Sequence, residues 1–291
     1  MHIDLFLSHK PKEVCRIAQH VWSGSGREYE IGDRIRSGGN AVVHVCVDRI
    51  EGRSFAIKFQ MAVSNERRKR FSQEIELLRG LEHDQLMSYV GHGKTNGTQM
   101  PGNRYISVPF VVMPLAERNL AEVIRDCSQP LLFDEYIAQF KGLAEGLGVL
   151  HQKAVHRDIK PENIMVRGET WLLSDFGLCT FLDQRSDITG DNEAIGPRFW
   201  MSPEAVNRAI GNDDTISKRS DVFQLGSVFW FVVTGRHPSG NVSEADWPGP
   251  RCIFSVLADA LSHNAVNRPA DGKELAQRLN DATITVGVKE V

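Results

Sequence analysis

The sequence predicts an α+β fold, because strand-type and helix-type patterns occupy separate parts of the chain. Residues 29–113 hold short runs rich in β-branched and aromatic residues, bounded by turn-forming residues. After Pro114, apolar residues recur at helical spacing as far as residue 283. Strands followed by helices, rather than strands alternating with helices, are typical of α+β proteins.

Composition limits the class of protein. The 291 residues are 41% hydrophobic, which is enough for one large domain or for two lobes with separate cores. The formal net charge of −3 gives no electrostatic attraction to nucleic acid. The longest apolar run, residues 228–233, is too short to cross a bilayer, so no membrane insertion is expected. The five cysteines are scattered and odd in number, which favours a reducing, cytoplasmic location.

Residues 1–27 are predicted to form a separate N-terminal extension. Apolar side chains recur at helical spacing within residues 10–20, so we expect this extension to be helical. The Ser-Gly-Ser-Gly run at residues 23–26 follows and indicates a turn or linker.

A strand-rich segment with one helix is predicted next. Its strands cover residues 29–35, 41–48, 54–60, 86–94 and 105–113. Apolar residues on one face predict a helix over residues 65–81. A turn at residues 95–103 is expected to join the last two strands, because Asn96-Gly97 is a frequent hairpin signal.

The rest of the chain predicts five helices and one short hairpin. The helices cover residues 119–127, 133–154, 220–235, 253–262 and 273–283. The hairpin is expected between the second and third helices, with its turn at Arg167-Gly168-Glu169. Such a hairpin would bring the residues before it and after it to one edge of a cleft.

Two motifs beside this hairpin carry the chemistry. Residues 156–163 are His-Arg-Asp-Ile-Lys-Pro-Glu-Asn, and residues 175–177 are Asp-Phe-Gly. A carboxylate such as Asp158 can orient a hydroxyl group and accept its proton, and the Lys160 ammonium can neutralise charge on a transferred phosphoryl group. The side-chain oxygens of Asn163 and Asp175 are hard ligands suited to Mg²⁺.

These motifs resemble those of the eukaryotic-type protein kinase superfamily, and in particular the Ser/Thr protein kinase catalytic domain. The resemblance covers residues 28–282. It implies a bilobal fold with a small antiparallel β-rich N-lobe and one main helix (28–113), a hinge (114–116) and a larger, mainly helical C-lobe (117–282). Residues 283–291 would form a C-terminal tail. The implied activity is transfer of the γ-phosphate of Mg·ATP to hydroxyl groups of a protein substrate.

The resemblance also assigns the nucleotide-binding residues. Phe55-Ala56-Ile57-Lys58 matches the third-strand motif, which implies that Lys58 binds the α- and β-phosphates and that Glu74 is its ion-pair partner. Residues 35–43 occupy the place of the glycine-rich loop, but Arg36 and Ala41 replace the first and third glycines of the family. The residues implied to contact ATP are Ile35, Gly38, Gly39, Val43, Ala56, Lys58, Met113, Pro114 and Ala116.

Three further residues match structural positions of the family. Glu204, in Met-Ser-Pro-Glu, corresponds to the end of the activation segment, and Arg268 corresponds to the arginine that pairs with it. Asp221 corresponds to the buried aspartate that anchors the catalytic loop. Buried charges need partners, so the expected contribution of these residues is to folding.

Substrate specificity and regulation stay open at this point. Lys160 favours serine and threonine, whereas Pro197 and Trp200 resemble the tyrosine-specific branch, so a dual-specificity or tyrosine kinase is an alternative. Autophosphorylation is expected at Thr189, with Ser186 and then Thr180 as further candidates, and in trans it would require self-association. A nucleotide-binding pseudokinase is a second alternative. It is disfavoured because Lys58, Asp158, Asn163 and Asp175 are all present.

Overall fold

A computed structural model describes residues 1–7, 9–38, 41–61, 64–127, 131–182 and 199–287. The chain divides into two compact units, the first formed by Met1–Gly80 and Met87–Ala116, the second by Leu81–Leu86 and Glu117–Val291. The first unit is an antiparallel sheet with a helix, and the second is mainly helical. The predicted α+β class is therefore confirmed.

An eight-stranded antiparallel sheet forms most of the first unit. In chain order its strands are β1 (His2–Leu7), β2 (Lys10–Ala18), β3 (His20–Trp22), β4 (Glu28–Gly38), β5 (Ala41–Asp48), β6 (Ser54–Gln60), β7 (Gly91–Met100) and β8 (Arg104–Pro114). Across the sheet the order is β1-β2-β7-β8-β6-β5-β4-β3. Helix α1 (Asn65–Gly80) buries Phe71, Leu77 and Leu78, and Arg68 donates a hydrogen bond to the carbonyl of Ser107 on β8.

The predicted N-terminal helix over residues 10–20 is wrong, because this segment is strand β2. Its backbone pairs with β1 on one side and with β7 on the other, as in the register Cys15↔Leu5 and Cys15↔Gln99. Cys15 and Ile17 are buried on one face while Arg16 between them is exposed, which is the two-residue alternation of a strand. Pairing on both edges therefore overrides the helical spacing of the apolar residues.

The N-terminal segment is also not a separate extension. Leu5 and Ile17 lie in the same buried cluster as Val42 and Phe59 of the central strands. The sheet curls so that β2 lies beside β7 while β3, which follows β2 directly, pairs with β4. The N–H of Ile31 donates a hydrogen bond of 2.9 Å to the carbonyl of Gln19, which lies between β2 and β3. The N-terminal strands thus close the sheet around this core.

The predicted turn at residues 95–103 is shorter than expected. Asn96 and Gly97 lie within β7 and pair with Ser107 and Ile106, and the turn occupies residues 101–103. Gly97 is required for close packing and not for a turn, because a Cβ at this position would lie 2.5 Å from the Sγ of Cys15 on β2. The hairpin signal was misleading because a third strand approaches this backbone closely.

The second unit contains the predicted helices and the predicted hairpin. Its helices are α2 (Leu120–Asp126), α3 (Phe133–Leu150), α4 (Pro203–Ala209), α5 (Lys218–Thr234), α6 (Arg251–Ala260) and α7 (Gly272–Gly287). Its short strands are β9 (Arg118–Asn119), β10 (Ala154–Val155), β11 (Ile164–Arg167), β12 (Thr170–Leu173) and β13 (Thr180–Phe181). Helix α4 was not predicted, and α7 continues past residue 282, so the expected tail begins as helix.

Aromatic stacking and a close glycine contact join the long helices. The rings of Phe140 on α3 and Phe229 on α5 stack with centroids 4.0 Å apart and an interplanar angle of 4°. At the start of α7, a Cβ on Gly272 would lie 2.6 Å from the carbonyl oxygen of Ala144 on α3. None of the helices in the described part of the chain is long and apolar enough to span a membrane.

We predict that Gly93→Ala destabilises the protein by about 1–3 kcal/mol, because overpacking a tight site has this cost. The added Cβ would lie 2.7 Å from the carbonyl oxygen of Trp22 on β3 and 2.6 Å from the Cζ atom of Phe110. The matched control is Gly24→Ala, whose nearest neighbour, the carbonyl oxygen of His92, is 3.7 Å away. Urea denaturation measures both. Equal urea midpoints for the two variants would contradict the close packing of β7 against β3 at Gly93.

Candidate active site

A buried carboxylate holds the segment that precedes Asp158. The side chain of Asp221 on α5 accepts hydrogen bonds from the backbone N–H of His156 at 2.6 Å and from that of Arg157 at 2.8 Å. The Nε2 atom of His151, at the end of α3, lies 2.9 Å from the same carboxylate. Asp221 and His151 are fully buried. Short strand β10 leads directly into this anchored segment.

A second residue of α5, Gln224, stabilises the strained backbone at Arg157. Arg157 has φ 72°, a left-handed conformation that costs a residue with a Cβ roughly 1–2 kcal/mol. The side chain of Gln224 binds the backbone on both sides of Asp158. It accepts a hydrogen bond from the N–H of Ile159 at 3.0 Å and donates one to the carbonyl of Arg157 at 3.4 Å. The Arg157 guanidinium donates to the Thr180 hydroxyl at 2.5 Å, which links this segment to β13.

The side chains of Asp158, Lys160 and Asn163 form one cluster. The Nζ atom of Lys160 lies 3.1 Å and 3.0 Å from the two carboxylate oxygens of Asp158. The amide nitrogen of Asn163 donates to Oδ2 of Asp158 at 2.8 Å and to its backbone carbonyl at 2.9 Å. Asp158 and Asn163 are buried. The carboxylate is therefore fixed in orientation from two sides.

Two opposing effects act on the pKa of Asp158. Burial is the larger and raises this pKa above its ordinary value of 3.8, and the negative charge of Asp175 acts in the same direction. The Lys160 ammonium acts against burial and lowers the pKa. A raised pKa makes the carboxylate a better proton acceptor than an exposed aspartate.

The hairpin of β11 and β12 joins Asn163 to Asp175. The N–H and the hydroxyl of Ser174 both donate to the carbonyl of Asn163, each at 2.9 Å. Asp175 follows with φ 62° and an exposed side chain, and the ring of Phe176 beside it is buried against His156 with centroids 5.6 Å apart. The hairpin thus returns the chain from the first motif to the second, as the sequence predicted.

The side-chain oxygens of Asn163 and Asp175 fit Mg²⁺. The nitrogen of the Asn163 amide points to Asp158, so Oδ1 is the oxygen that the amide can offer a cation. The Asp175 carboxylate is a second hard donor. No group of three or more His, Cys, Asp or Glu side chains suited to a metal occurs among the described residues. Two protein donors are typical of Mg²⁺ that also binds substrate phosphates and water.

In the first unit, Lys58 and Glu74 form an ion pair. The Nζ atom of Lys58 on β6 lies 2.6 Å from Oε1 of Glu74 on α1, and the two side chains are 12% and 3% exposed. Such a low exposure reduces screening of the pair by solvent. Glu74 is buried in α1 beside the apolar residues of this helix, and it is the partner of Lys58 that the resemblance implied.

Strand register places the candidate nucleotide residues on one face of the sheet. Val43 pairs with Lys58, and Ala56 pairs with Met113. Directly opposed residues of antiparallel strands point to the same face. Val42 next to Val43 is fully buried in the core cluster on the other face. Val43, Ala56, Lys58 and Met113 therefore share the face that is turned away from this core.

The other candidate residues lie near these four or outside the described residues. Pro114 pairs with Phe55 at the end of β8, Ala116 is half-buried, and Gly38 pairs with Ala41 at the end of β4. Ile35 lies at an irregularity of β4 and is exposed. The residues outside the described ranges are Gly39, Ser186, Thr189 and Pro197.

A buried ion pair joins α4 to the segment before α7. The guanidinium of Arg268 binds Glu204 through two hydrogen bonds of 2.7 and 2.9 Å, and the Ser220 hydroxyl donates to the same carboxylate at 2.6 Å. Burial opposes ionisation of Glu204, but the bonds from Arg268 and Ser220 outweigh burial and lower its pKa below the ordinary 4.5. This pairing agrees with the role that the sequence implied for both residues.

Sequence reasoning missed two residues that support the segment of His156, Arg157 and Asp158. Gln224 lies three residues after Asp221 on α5, so the helical period puts both on one face. His151 also bonds the N–H of Gly272 through Nδ1 at 3.0 Å, which fixes the orientation of its ring. The spacing of Asp221 and Gln224 was a signal in the sequence, whereas the contact of His151 depends on long-range packing.

Comparison with known proteins identifies similar chains. The family described as Protein kinase domain matches residues 29–281. Serine/threonine-protein kinase PrkC of Bacillus subtilis is 30% identical over 90% of this chain and 43% of its own length. Probable serine/threonine-protein kinase PknB of Bifidobacterium longum is 28% identical over 86% and 39%, and a probable serine/threonine-protein kinase of Dictyostelium discoideum is 25% identical over 91% and 26%. The chain spans less than half the length of these relatives.

We predict that Glu204→Ala lowers the free energy of unfolding by about 3–5 kcal/mol, because it leaves the charge of Arg268 buried without its carboxylate. The lowered pKa of Glu204 means that its stabilisation is present above pH 4.5 and is lost as the pH falls through the folded-state pKa. The difference between the variant and the wild type should therefore shrink in acid.

Asp4→Ala is the matched control for this prediction. Arg16 also binds Asp4 through two hydrogen bonds of 2.7 and 2.9 Å, but the side chains of Arg16 and Asp4 are 55% and 42% exposed. Exposed pairs contribute little, so the control should unfold close to the wild type in urea. A loss in Glu204→Ala no larger than that in Asp4→Ala would contradict the prediction.

Proposed function

The chain belongs to the protein kinase domain family, and on that premise we propose that it transfers the γ-phosphate of Mg·ATP to serine or threonine hydroxyl groups of proteins. Its relatives in Bifidobacterium longum and Bacillus subtilis are named as serine/threonine-protein kinases, which supports this assignment. The single observation that carries the proposal is the cluster of Asp158, Lys160 and Asn163. The odd number and scattered positions of the cysteines support activity in a reducing cytoplasm.

Asp158 would act on the attacking hydroxyl group. Its carboxylate accepts the hydroxyl proton while the hydroxyl oxygen bonds to the γ-phosphorus and the bond from that phosphorus to the β-phosphate oxygen breaks, releasing ADP. The bonds from Lys160 and Asn163 hold this carboxylate in one orientation, so little reorganisation is needed during the reaction. Lys160 also places a positive charge beside the group that is transferred.

Asn163 and Asp175 are the residues that would hold Mg²⁺, and the ion when bound neutralises phosphate charge. In the first unit, Lys58 would bind the α- and β-phosphates. Glu74 holds the Lys58 ammonium at 2.6 Å and so limits the positions that this side chain can adopt. The apolar side chains of Val43, Ala56 and Met113 would contact the adenine ring.

The contacts of Lys160 favour an active kinase over a pseudokinase. A pseudokinase does not require a lysine bonded to both oxygens of this carboxylate, yet Lys160 makes both bonds. Autophosphorylation in trans remains part of the proposal. Of its candidate sites, Thr180 is described, and its hydroxyl already accepts a hydrogen bond from Arg157.

We predict that Asp158→Ala lowers kcat by at least about 10²–10⁴-fold, the range for loss of a general base, while binding of an ATP analogue is retained. The measurement is transfer of labelled phosphate to a basic protein, followed by phosphoamino-acid analysis, with the exposed Asp126→Ala as the control. Transfer at the wild-type rate would contradict the role of Asp158. Label on tyrosine would contradict the Ser/Thr assignment, and a wild type that binds ATP without transfer would support a pseudokinase.

We predict that Lys160→Met moves the acidic limb of the kcat/KM profile to higher pH, because the Lys160 charge lowers the pKa of Asp158. Ionised Asp158 is the active form, so the rate falls as the pH drops through its raised pKa, and loss of the Lys160 charge raises this pKa further. Lys160→Arg keeps the charge and should keep the position of the limb. An unchanged limb in Lys160→Met would show that another group controls the profile.

A further inference from the structure

Strand β4 carries two arginines, Arg34 and Arg36, whose side chains belong to opposite faces of the sheet. Arg34 pairs with His44, which is buried and alternates with Val43 along β5. The guanidinium carbon of Arg34 lies 4.3 Å from the centroid of the Phe6 ring on β1. Arg34 is thus directed to the N-terminal strands, on the face opposite to Val43.

An extra residue in β4 changes the direction of Arg36. In a regular strand, residues two apart point to the same face, so Arg36 would follow Arg34. The register advances from Arg34↔His44 to Arg36↔Val43, which is two residues on β4 for one on β5. Ile35 is therefore the extra residue of a β-bulge, and a bulge re-aims the side chain that follows it. The bulge moves Arg36 to the face of Val43.

Arg36 consequently lies in one row with Lys58. Arg36 pairs with Val43, and Val43 pairs with Lys58, so the row crosses three neighbouring strands. Neighbouring strands are about 4.8 Å apart, which puts the backbone of Arg36 roughly 10 Å from that of Lys58. Both side chains are long and end in a cationic group. Two cations at this separation, on one face, can bind different oxygens of one polyphosphate.

The backbone at Arg36 does not require glycine. Arg36 lies within β4, and the described non-glycine residues with positive φ are Asn103, Arg157 and Asp175. The arginine that replaces the family's first glycine is therefore unstrained. Its side chain is exposed and carries a planar guanidinium with five N–H donors, a group suited to phosphate oxygens.

We propose that Arg36 is a second phosphate-binding cation, which with Lys58 binds the polyphosphate of a nucleoside di- or triphosphate. This inference rests on the proposed function, because Lys58 is assigned to the phosphates there. Arg36 makes the same contact before and after transfer of the γ-phosphate. Such uniform binding lowers KM for ATP and leaves kcat unchanged, and it also retains ADP.

The test is calorimetric binding of AMP-PNP, ADP and adenosine, each with Mg²⁺, to the full chain and to two variants. Arg36→Ala removes the cation from the Val43 face. Arg34→Ala, two residues away, removes an equal charge from the opposite face and is the matched control. Thermal unfolding of each variant checks that both are folded.

We expect Arg36→Ala to weaken AMP-PNP and ADP about tenfold, the effect of losing a charge-assisted hydrogen bond, while adenosine changes less than about twofold. Arg34→Ala should bind all three as the wild type does. Unchanged AMP-PNP and ADP affinity in Arg36→Ala would overturn the inference, and so would an equal loss for adenosine. If the wild type bound none of the three, the proposed function itself would fail, which is a separate outcome.

Discussion

The segment that carries Asp158 depends on one interaction, the hydrogen bonds that its backbone makes to the buried carboxylate of Asp221. This carboxylate accepts two backbone hydrogen bonds, from His156 and Arg157, and contacts the ring of His151. Each hydrogen bond to a charged group contributes about 1.5–3 kcal/mol, which exceeds the cost of roughly 1–2 kcal/mol for the left-handed backbone of Arg157. The strained turn is therefore stable. It directs the next residue, Asp158, to Lys160 and Asn163.

Strand pairing has the corresponding importance in the first unit. The register of β5 places Val43 and Val42 on opposite faces, so one strand contributes both to the candidate nucleotide residues and to the core. The N-terminal strands supply Leu5 and Ile17 to that core. Gly97 permits their close approach to β7. The face that holds Lys58 thus depends on residues at the start of the chain.

The sequence was sufficient where chemistry or local pattern decides the structure. Residues 156–163 and 175–177 predicted the cluster around Asp158, and the turn at residues 167–169 predicted the hairpin that connects them. The sequence was not sufficient at residues 10–20, where pairing with two other strands overrides a helical pattern. It was also not sufficient at Asn96-Gly97, where the glycine provides room for the side chain of Cys15. The bulge at Ile35 depends on the register of two strands, which no local pattern specifies, and so Arg36 could not be placed from the sequence.

The most direct test is the effect of Asp221→Asn on kcat and on the affinity for AMP-PNP. An amide of the same size keeps one acceptor oxygen but loses the charge, so one of the N–H groups of His156 and Arg157 loses its partner. If Asp221 fixes the catalytic segment, kcat falls at least about tenfold, as expected for misplacement of a reacting group, while AMP-PNP affinity stays within about twofold. An unchanged kcat in the folded variant would contradict this account.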